Sequence, residues 1–377
     1  MDPLDRAMAE KNAKAYAAYG SGNCDADIRY LSGFRTSDAI LYMKRYDESP
    51  FIVVSSMELE RAAQEAKVRA MTRKEAGFFE YLSQEGDHRD RAMARTIASL
   101  GGAHIMVPPY FPFSIAKELS ALCEVSIEDK EVVKACRARK DGDEIRSIKG
   151  AQEAAEEAMR VAVGMIARSK IRNGELSYDE SPLTSERVKA AIHRSLVDRG
   201  CTGRDTIVSC GRDTAIPHHT GGGVLLADEP IVIDIFPQNE EGYYADMSRT
   251  VVRGEPSPEI LEMYTAVKWA KSIAIGEIRA GKRGSDIHQM VVDYLSAQGF
   301  ESDSQGFIHN LGHGVGLEVH EHPVLGPRGD ELEPGNVITV EPGLYYKGVG
   351  GVRLEDMGIV RPNGFELLTL FEEECAV

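Results

Sequence analysis

Between residues 27 and 54 the apolar residues fall in short runs separated by polar turns. Tyr30-Leu31-Ser32-Gly33-Phe34 and Phe51-Ile52-Val53-Val54 are the clearest of these runs, and they predict strands. The spacing then turns helical, over about residues 61–82 and 91–100. A proline-rich bend, Val107-Pro108-Pro109-Tyr110-Phe111-Pro112, precedes a further helical piece near residues 115–123. Strand and helix alternate, so this part predicts a small α/β domain.

A polar stretch at residues 137–142 reads as a boundary, dividing the chain into domains 1–138 and 139–377. Beyond it a long helix is predicted over about 143–169, with Ile145, Ile148, Ala155, Met159, Val163 and Ile166 on one stripe. Further helices are predicted near 185–199, where Thr184-Ser185-Glu186 supplies a capping signal, and near 259–278 and 285–298. Four β-like segments lie between and after them, at 230–236, 243–252, 336–340 and 351–360. The second domain thus reads as α+β, with helices over a curved, mostly antiparallel sheet. The 20–50-residue periodicity of a repeat protein is not present.

Composition narrows the function. Of the 377 residues, 42% are hydrophobic and 28% charged, the mixture of a globular protein with a real core. Asp and Glu outnumber Lys and Arg by 60 to 44, a net charge of −16. Nucleic acids and anionic membranes demand the opposite sign, so neither is an expected partner. Met1-Asp2-Pro3-Leu4-Asp5 has neither the positive start nor the apolar stretch of a secretion signal. The best apolar run, 97–113, is broken by His104 and three prolines, short of the roughly 18 residues of a span. Six cysteines without paired spacing read as reduced thiols, and the expected location is the cytoplasm.

The chemistry gathers on the four β-like segments, each of which carries a carboxylate. Ile231-Val232-Ile233-Asp234 and Tyr243-Tyr244-Ala245-Asp246 form one pair; Val337-Ile338-Thr339-Val340-Glu341 and Val352-Arg353-Leu354-Glu355 form the other. Extended chain would hold Asp234 and Asp246 about 40 Å apart. The polar turn Gln238-Asn239-Glu240-Glu241-Gly242 folds the segment back and brings them together. The glycine-rich Gly348-Val349-Gly350-Gly351 does the same for Glu341 and Glu355. Four buried carboxylates repel one another unless cations offset them, and two divalent ions would do so. His313, between Gly312 and Gly314, is the natural nitrogen donor. One imidazole among oxygens suits Mn²⁺, Co²⁺, Fe²⁺ or Zn²⁺ and argues against an all-oxygen calcium cage. Each residue alone has a plainer reading: a strand-end acid for Asp234, a salt-bridged loop acid for Asp246, a turn residue for Glu341, half of a surface pair with Arg353 for Glu355. The arrangement, and not any one residue, carries the signal.

The ordered set, with Asp246-Met247-Ser248-Arg249-Thr250, Gly312-His313-Gly314-Val315-Gly316, Glu341-Pro342-Gly343-Leu344-Tyr345 and Arg353-Leu354-Glu355-Asp356 around it, resembles the pita-bread metallopeptidases. That family includes methionine aminopeptidase, aminopeptidase P and prolidase. The likeness covers residues 143–377, and Tyr30-Leu31-Ser32-Gly33-Phe34 resembles the N-terminal domain of the prolidase and aminopeptidase P branch. The resemblance implies a pita-bread, creatinase/aminopeptidase-like catalytic domain behind a smaller creatinase-like α/β domain. It implies two divalent ions, with Asp246 and Glu355 bridging, Asp234 on one ion, and His313 and Glu341 on the other. A hydroxide between the ions would attack the N-terminal Xaa-Pro bond of dipeptides or short peptides, with Glu341 shuttling the proton. His218 would line the substrate site and His320 would donate to the carbonyl oxygen, while His219 and His322 would be structural or at the rim. A homodimer is implied as well.

Several positions depart from the family pattern. The separation of the two aspartates is one residue longer than usual, Asp213 stands in place of Asn, and Ser248 in place of Thr. Val324 occupies the place of an arginine found in many prolidases, with Arg328 the nearest substitute, so dipeptidase and aminopeptidase stay open. Methionine aminopeptidase is the nearest alternative, disfavoured by the distinct N-terminal domain. A catalytically silent peptide-binding or scaffold protein of the same fold is the alternative from another class, disfavoured by the intact ligands with His218 and His320.

Overall fold

Alternating burial along Ala15–Ser21 shows how the N-terminal sheet is built: Ala15 and Ala17 face one apolar cluster, Tyr16 and Ala18 the other. The computed structural model describes residues 1–377, which divide into two units, Met1–Arg137 and Ala138–Val377. The first unit holds a mixed six-stranded sheet ordered Arg69–Thr72, Phe51–Val54, Ala39–Arg45, Ala15–Ser21, His104–Val107, Glu124–Ile127. Ala39–Arg45 runs antiparallel to both neighbours; the other pairings are parallel.

Two expectations for this unit are corrected. Tyr30-Leu31-Ser32 is the end of a helix, Ala26–Ser32. The Asp25 side chain accepts from the Ile28 N–H at 2.9 Å, and Gly33 closes the helix at φ +67°. The single helical stretch expected at 61–82 is instead helix Leu59–Glu65, strand Arg69–Thr72 and helix Phe78–Gln84. That strand exists because it pairs with Phe51–Val54, a tertiary contact that local periodicity does not carry.

In the second unit the helices lie where their caps put them. Gly142–Ala167 starts on a reciprocal box, the Asp141 side chain bonding the Glu144 N–H and the Glu144 side chain bonding the Asp141 N–H. Thr184 caps Ser185–Val197 and Ser257 caps Pro258–Glu277; Gly284–Ala297 follows. A three-stranded antiparallel sheet orders Ile207–Cys210, Pro230–Ile235, Met247–Val252. A five-stranded antiparallel sheet orders Glu321–Leu325, Gly312–Gly314, Val337–Val340, Asp356–Arg361, Gly364–Leu367. A separate ribbon joins Gly343–Tyr346 to Gly350–Arg353. The first two helices pack on the three-stranded sheet and the last two on the ribbon and the five-stranded sheet. Ile148 and Ala151 of the first helix also pack on Val337, Met357 and Ile359, the face of the five-stranded sheet opposite to Ile338, Val340 and Val360, which the last two helices cover. No helix is long and apolar enough to cross a membrane. All six cysteines are free thiols.

Candidate metal centre

Strand register places the first two acids. Pro230–Ile235 and Met247–Val252 pair antiparallel with Asp234 opposite Ser248, which leaves Asp246 at the mouth of the same hairpin. Both are buried. Glu341 follows directly on Val337–Val340, and its N–H donates to the Leu311 carbonyl at 2.8 Å, beside the strand that bears His313. Glu355 lies between Gly350–Arg353 and Asp356–Arg361, and its N–H donates to the Ser248 carbonyl at 3.1 Å. That bond draws the second hairpin onto the first.

Three of the five side chains meet directly, Glu341 joins them through His313, and Asp234 lies near enough for its charge to act on Asp246. Asp246, His313 and Glu355 each offer a ligand atom within 4.8 Å of the others. His313 Nε2 lies 3.8 Å from Asp246 Oδ2 and 3.2 Å from Glu341 Oε1. Arg353 reaches the same centre, donating from Nη2 to Asp234 Oδ2 at 2.6 Å, from Nε to Ser248 Oγ at 2.9 Å, and from Nη1 to the Tyr345 hydroxyl at 2.9 Å. Arg353 is therefore a buried partner of Asp234, not half of a surface pair with Glu355. Ser248 donates in turn to Glu355 Oε2 at 2.9 Å.

A divalent ion fits this donor set. Asp234 Oδ1 and Glu355 Oε1 are buried without a hydrogen-bond partner, a costly state for a carboxylate oxygen unless a cation takes it. Burial, then the charges of Glu355, Asp234 and Glu341, hold the Asp246 carboxyl well above its ordinary range. Burial, then Glu341 and Asp234, do the same to Glu355. Burial alone would lower His313, but its hydrogen bond to Glu341 and the charges of Glu341 and Glu355 outweigh it and push the ring up to about 9. Burial would raise Glu341, but the bond to His313 outweighs it and pulls that carboxyl down to about 2. A site that repels its own negative charge and binds protons this avidly is built for cations.

The remaining histidines sit around the centre. The His320 ring packs edge-on against His313, centroids 4.3 Å apart. His218 is exposed to solvent, and Pro217 just before it accepts from Arg353 Nη1 at 3.3 Å. His219 Nδ1 accepts from the Gly221 N–H at 3.2 Å, and His322 pairs with Asp330 at 3.0 Å. One residue that sequence reasoning passed over stands close by: the His309 ring approaches the Tyr345 hydroxyl at 3.1 Å, and burial lowers its pKa. Its place four residues before His313 was the available signal. Val324 pairs across the strands with His313.

A nest of buried carboxylates and one imidazole between two hairpins is the donor set of a divalent-metal site. The chain belongs to metallopeptidase family M24, which residues 146–362 match, and residues 1–138 match the Creatinase/Prolidase N-terminal domain. An uncharacterized peptidase of Staphylococcus aureus (strain MRSA252) is 35% identical over 244 residues, 64% of this chain and 65% of that protein. Among solved structures, the prolidase from Pyrococcus horikoshii OT3 aligns over 99% of this chain and 98% of its own, with 25% identity and TM-score 0.81. The X-Pro aminopeptidase from Thermotoga maritima MSB8 aligns over 99% of this chain and 100% of its own, with 26% identity and TM-score 0.81.

Proposed function

We propose that the protein is a two-metal peptidase that hydrolyses the N-terminal Xaa-Pro bond of dipeptides or short peptides. The observation that supports the reading is the gathering of Asp246, His313 and Glu355 within reach of one ion, with Glu341 on His313 and unsatisfied oxygens on Asp234 and Glu355. Likeness over the whole chain to a prolidase and to an X-Pro aminopeptidase supports the choice of bond. In this reading Asp246 and Glu355 would be shared between two ions, Asp234 would hold one, and His313 with Glu341 would hold the other. When bound, such ions polarise a carbonyl and make a water acidic enough to attack it at neutral pH. Manganese is the proposed native ion, given donors that are oxygen but for one nitrogen.

The protein's own groups complete the chemistry. Burial and the neighbouring His313 lower the His320 pKa, so its ring is neutral at neutral pH and donates an N–H to the carbonyl oxygen as charge develops there. Glu341 turns Oε1 toward His313, leaving its second oxygen to take a proton from the attacking water and pass it to the leaving nitrogen. A prolyl leaving group has no N–H to donate before cleavage, and none of these contacts requires one. His218 lines the peptide's path. A cytoplasmic homodimer completes the proposal.

The test is to strip the protein with chelator, restore Mn²⁺, Co²⁺ or Zn²⁺, and assay Met-Pro, Met-Ala and an Xaa-Pro-Xaa tripeptide, with Glu341→Ala as control. Metal-dependent cleavage of Met-Pro but not Met-Ala is expected, and the tripeptide then separates dipeptidase from aminopeptidase. Cleavage of Met-Ala would move the protein to the general or methionine aminopeptidases. Absence of turnover with every metal would sink the peptidase reading and favour a peptide-binding scaffold.

A further inference from the structure

We propose that Lys140 and Glu321 form a positioning pair that sets the His320 ring over the metal centre. The inference rests on the role given to His320 above. Lys140 stands just before the Asp141 cap of helix Gly142–Ala167, and its Nζ donates to Glu321 Oε1 across 181 positions of sequence. The two side chains are 1% and 6% exposed, so this pair is sealed from water. Glu321 directly follows His320 and is the first residue of strand Glu321–Leu325, paired with Gly314 beside His313.

The surroundings are shaped for the pair. A Cβ on Gly316 would run into the Glu321 carboxylate, so glycine there keeps room for it inside the loop that joins His313 to His320. The backbone that carries Lys140 is fixed from three directions. The Lys140 N–H donates to the Gly335 carbonyl at 3.0 Å, and the Asn336 amide donates to the Ala138 carbonyl at 2.9 Å. Both partners lie at the start of the strand that leads to Glu341. Glu144, in the first turn of the helix, accepts from the Tyr243 hydroxyl at 2.9 Å, and the Tyr244 N–H donates to the Gly316 carbonyl at 2.8 Å. The segment 138–144 is thereby stitched to the approach to Asp246, to the strand of Glu341 and, through Lys140, to His320.

Two features argue for positioning over plain stabilisation. A buried ion pair contributes little net stability relative to well-packed apolar residues of similar volume, whereas it fixes direction. His320 is an exposed residue whose ring packs against His313 alone among the aromatic rings, so its aim depends on the backbone that Glu321 holds.

The experiment compares wild type, Lys140→Met, Lys140→Met with Glu321→Leu, His320→Ala, and Lys140→Met with His320→Ala, using full-length protein loaded with Mn²⁺ and a Met-Pro substrate. The paired apolar replacement is expected to keep native thermal stability and metal content while kcat falls about ten- to a hundredfold and KM stays within about twofold. In the His320→Ala background, Lys140→Met is expected to cost nothing further. Additive losses there, or a kcat that simply follows stability, would overturn the proposal. A second readout needs no turnover: histidine-labelled protein loaded with Zn²⁺, in which Lys140→Met moves the His320 ring resonances and leaves those of His104 and His193 in place. Unmoved His320 resonances would overturn the positioning claim by themselves. Wild type that shows the shift on mutation yet cleaves no peptide would instead overturn the function and leave the pair standing.

Discussion

At the scale of single residues, the centre is held together by charges that do not suit one another until a cation arrives. Burial raises the Asp246 and Glu355 pKa values, helped at Asp246 by Glu355, Asp234 and Glu341 and at Glu355 by Glu341 and Asp234. A carboxyl whose folded pKa is raised stabilises the fold below its unfolded pKa and loses that contribution as pH climbs through the folded value. In chelator-stripped protein, Asp246→Asn is therefore expected to be more stable than wild type, with a gain that grows as pH climbs above the unfolded carboxyl value of about 4, each unit of raised pKa being worth about 1.4 kcal/mol. Thermal unfolding across that range checks it; a gain that shrinks with pH would contradict the electrostatics. The five proposed ligands stand out in the sequence because each sits in a short, distinctive local phrase and the order of the phrases is informative. Arg353 was not, because its partner Asp234 lies 119 positions away and a lone arginine beside a glutamate reads as a surface pair. His309 was missed for a related reason: its meaning comes from the Tyr345 hydroxyl, 36 positions on.

At the scale of elements, close backbone approach does as much as side-chain chemistry. A Cβ on Gly351 would run into the Thr214 carbonyl, and the Gly351 N–H donates to Thr214 Oγ1 at 2.7 Å. The short 3₁₀ turn Gly211–Ala215 thus rides on the ribbon that ends at Arg353, and His218 follows it. Gly351→Ala is expected to destabilise by about 1–3 kcal/mol and to lower kcat for Xaa-Pro cleavage by shifting His218. Gly364→Ala, where a Cβ meets nothing within 4 Å, is expected to leave both unchanged. Denaturation and steady-state kinetics on the two variants decide it, and equal behaviour would refute the packing argument. Helices of the second unit were legible from the apolar stripe of the long helix and from the Thr184 cap of the next, while the Asp141 and Ser257 caps became visible in the structure. The strand Ala15–Ser21 was not, since alanine carries no β signal and the strand forms through its neighbours in the sheet. Ala26–Ser32 was misread because Tyr30-Leu31 looks like strand until the caps at Asp25 and Gly33 are weighed.

At the scale of the whole molecule, the acidic balance and the two-unit organisation frame what the centre can do. A chain at net −16 draws cations and disfavours polyanions. The family match places a metallopeptidase unit behind a Creatinase/Prolidase N-terminal domain, in keeping with the α+β and α/β patterns along the sequence. Every proposed ligand residue belongs to the unit Ala138–Val377. The account stands or falls on whether that unit binds a pair of ions through shared carboxylates. The direct measurement is metal content per chain after stripping and reloading with Mn²⁺, in wild type and in Asp246→Ala and Glu355→Ala. About two ions per chain in wild type, and at most one in either variant, is the predicted result, because in the proposed arrangement each of those carboxylates would serve both ions. No more than one ion in wild type, or two retained in the variants, would contradict it.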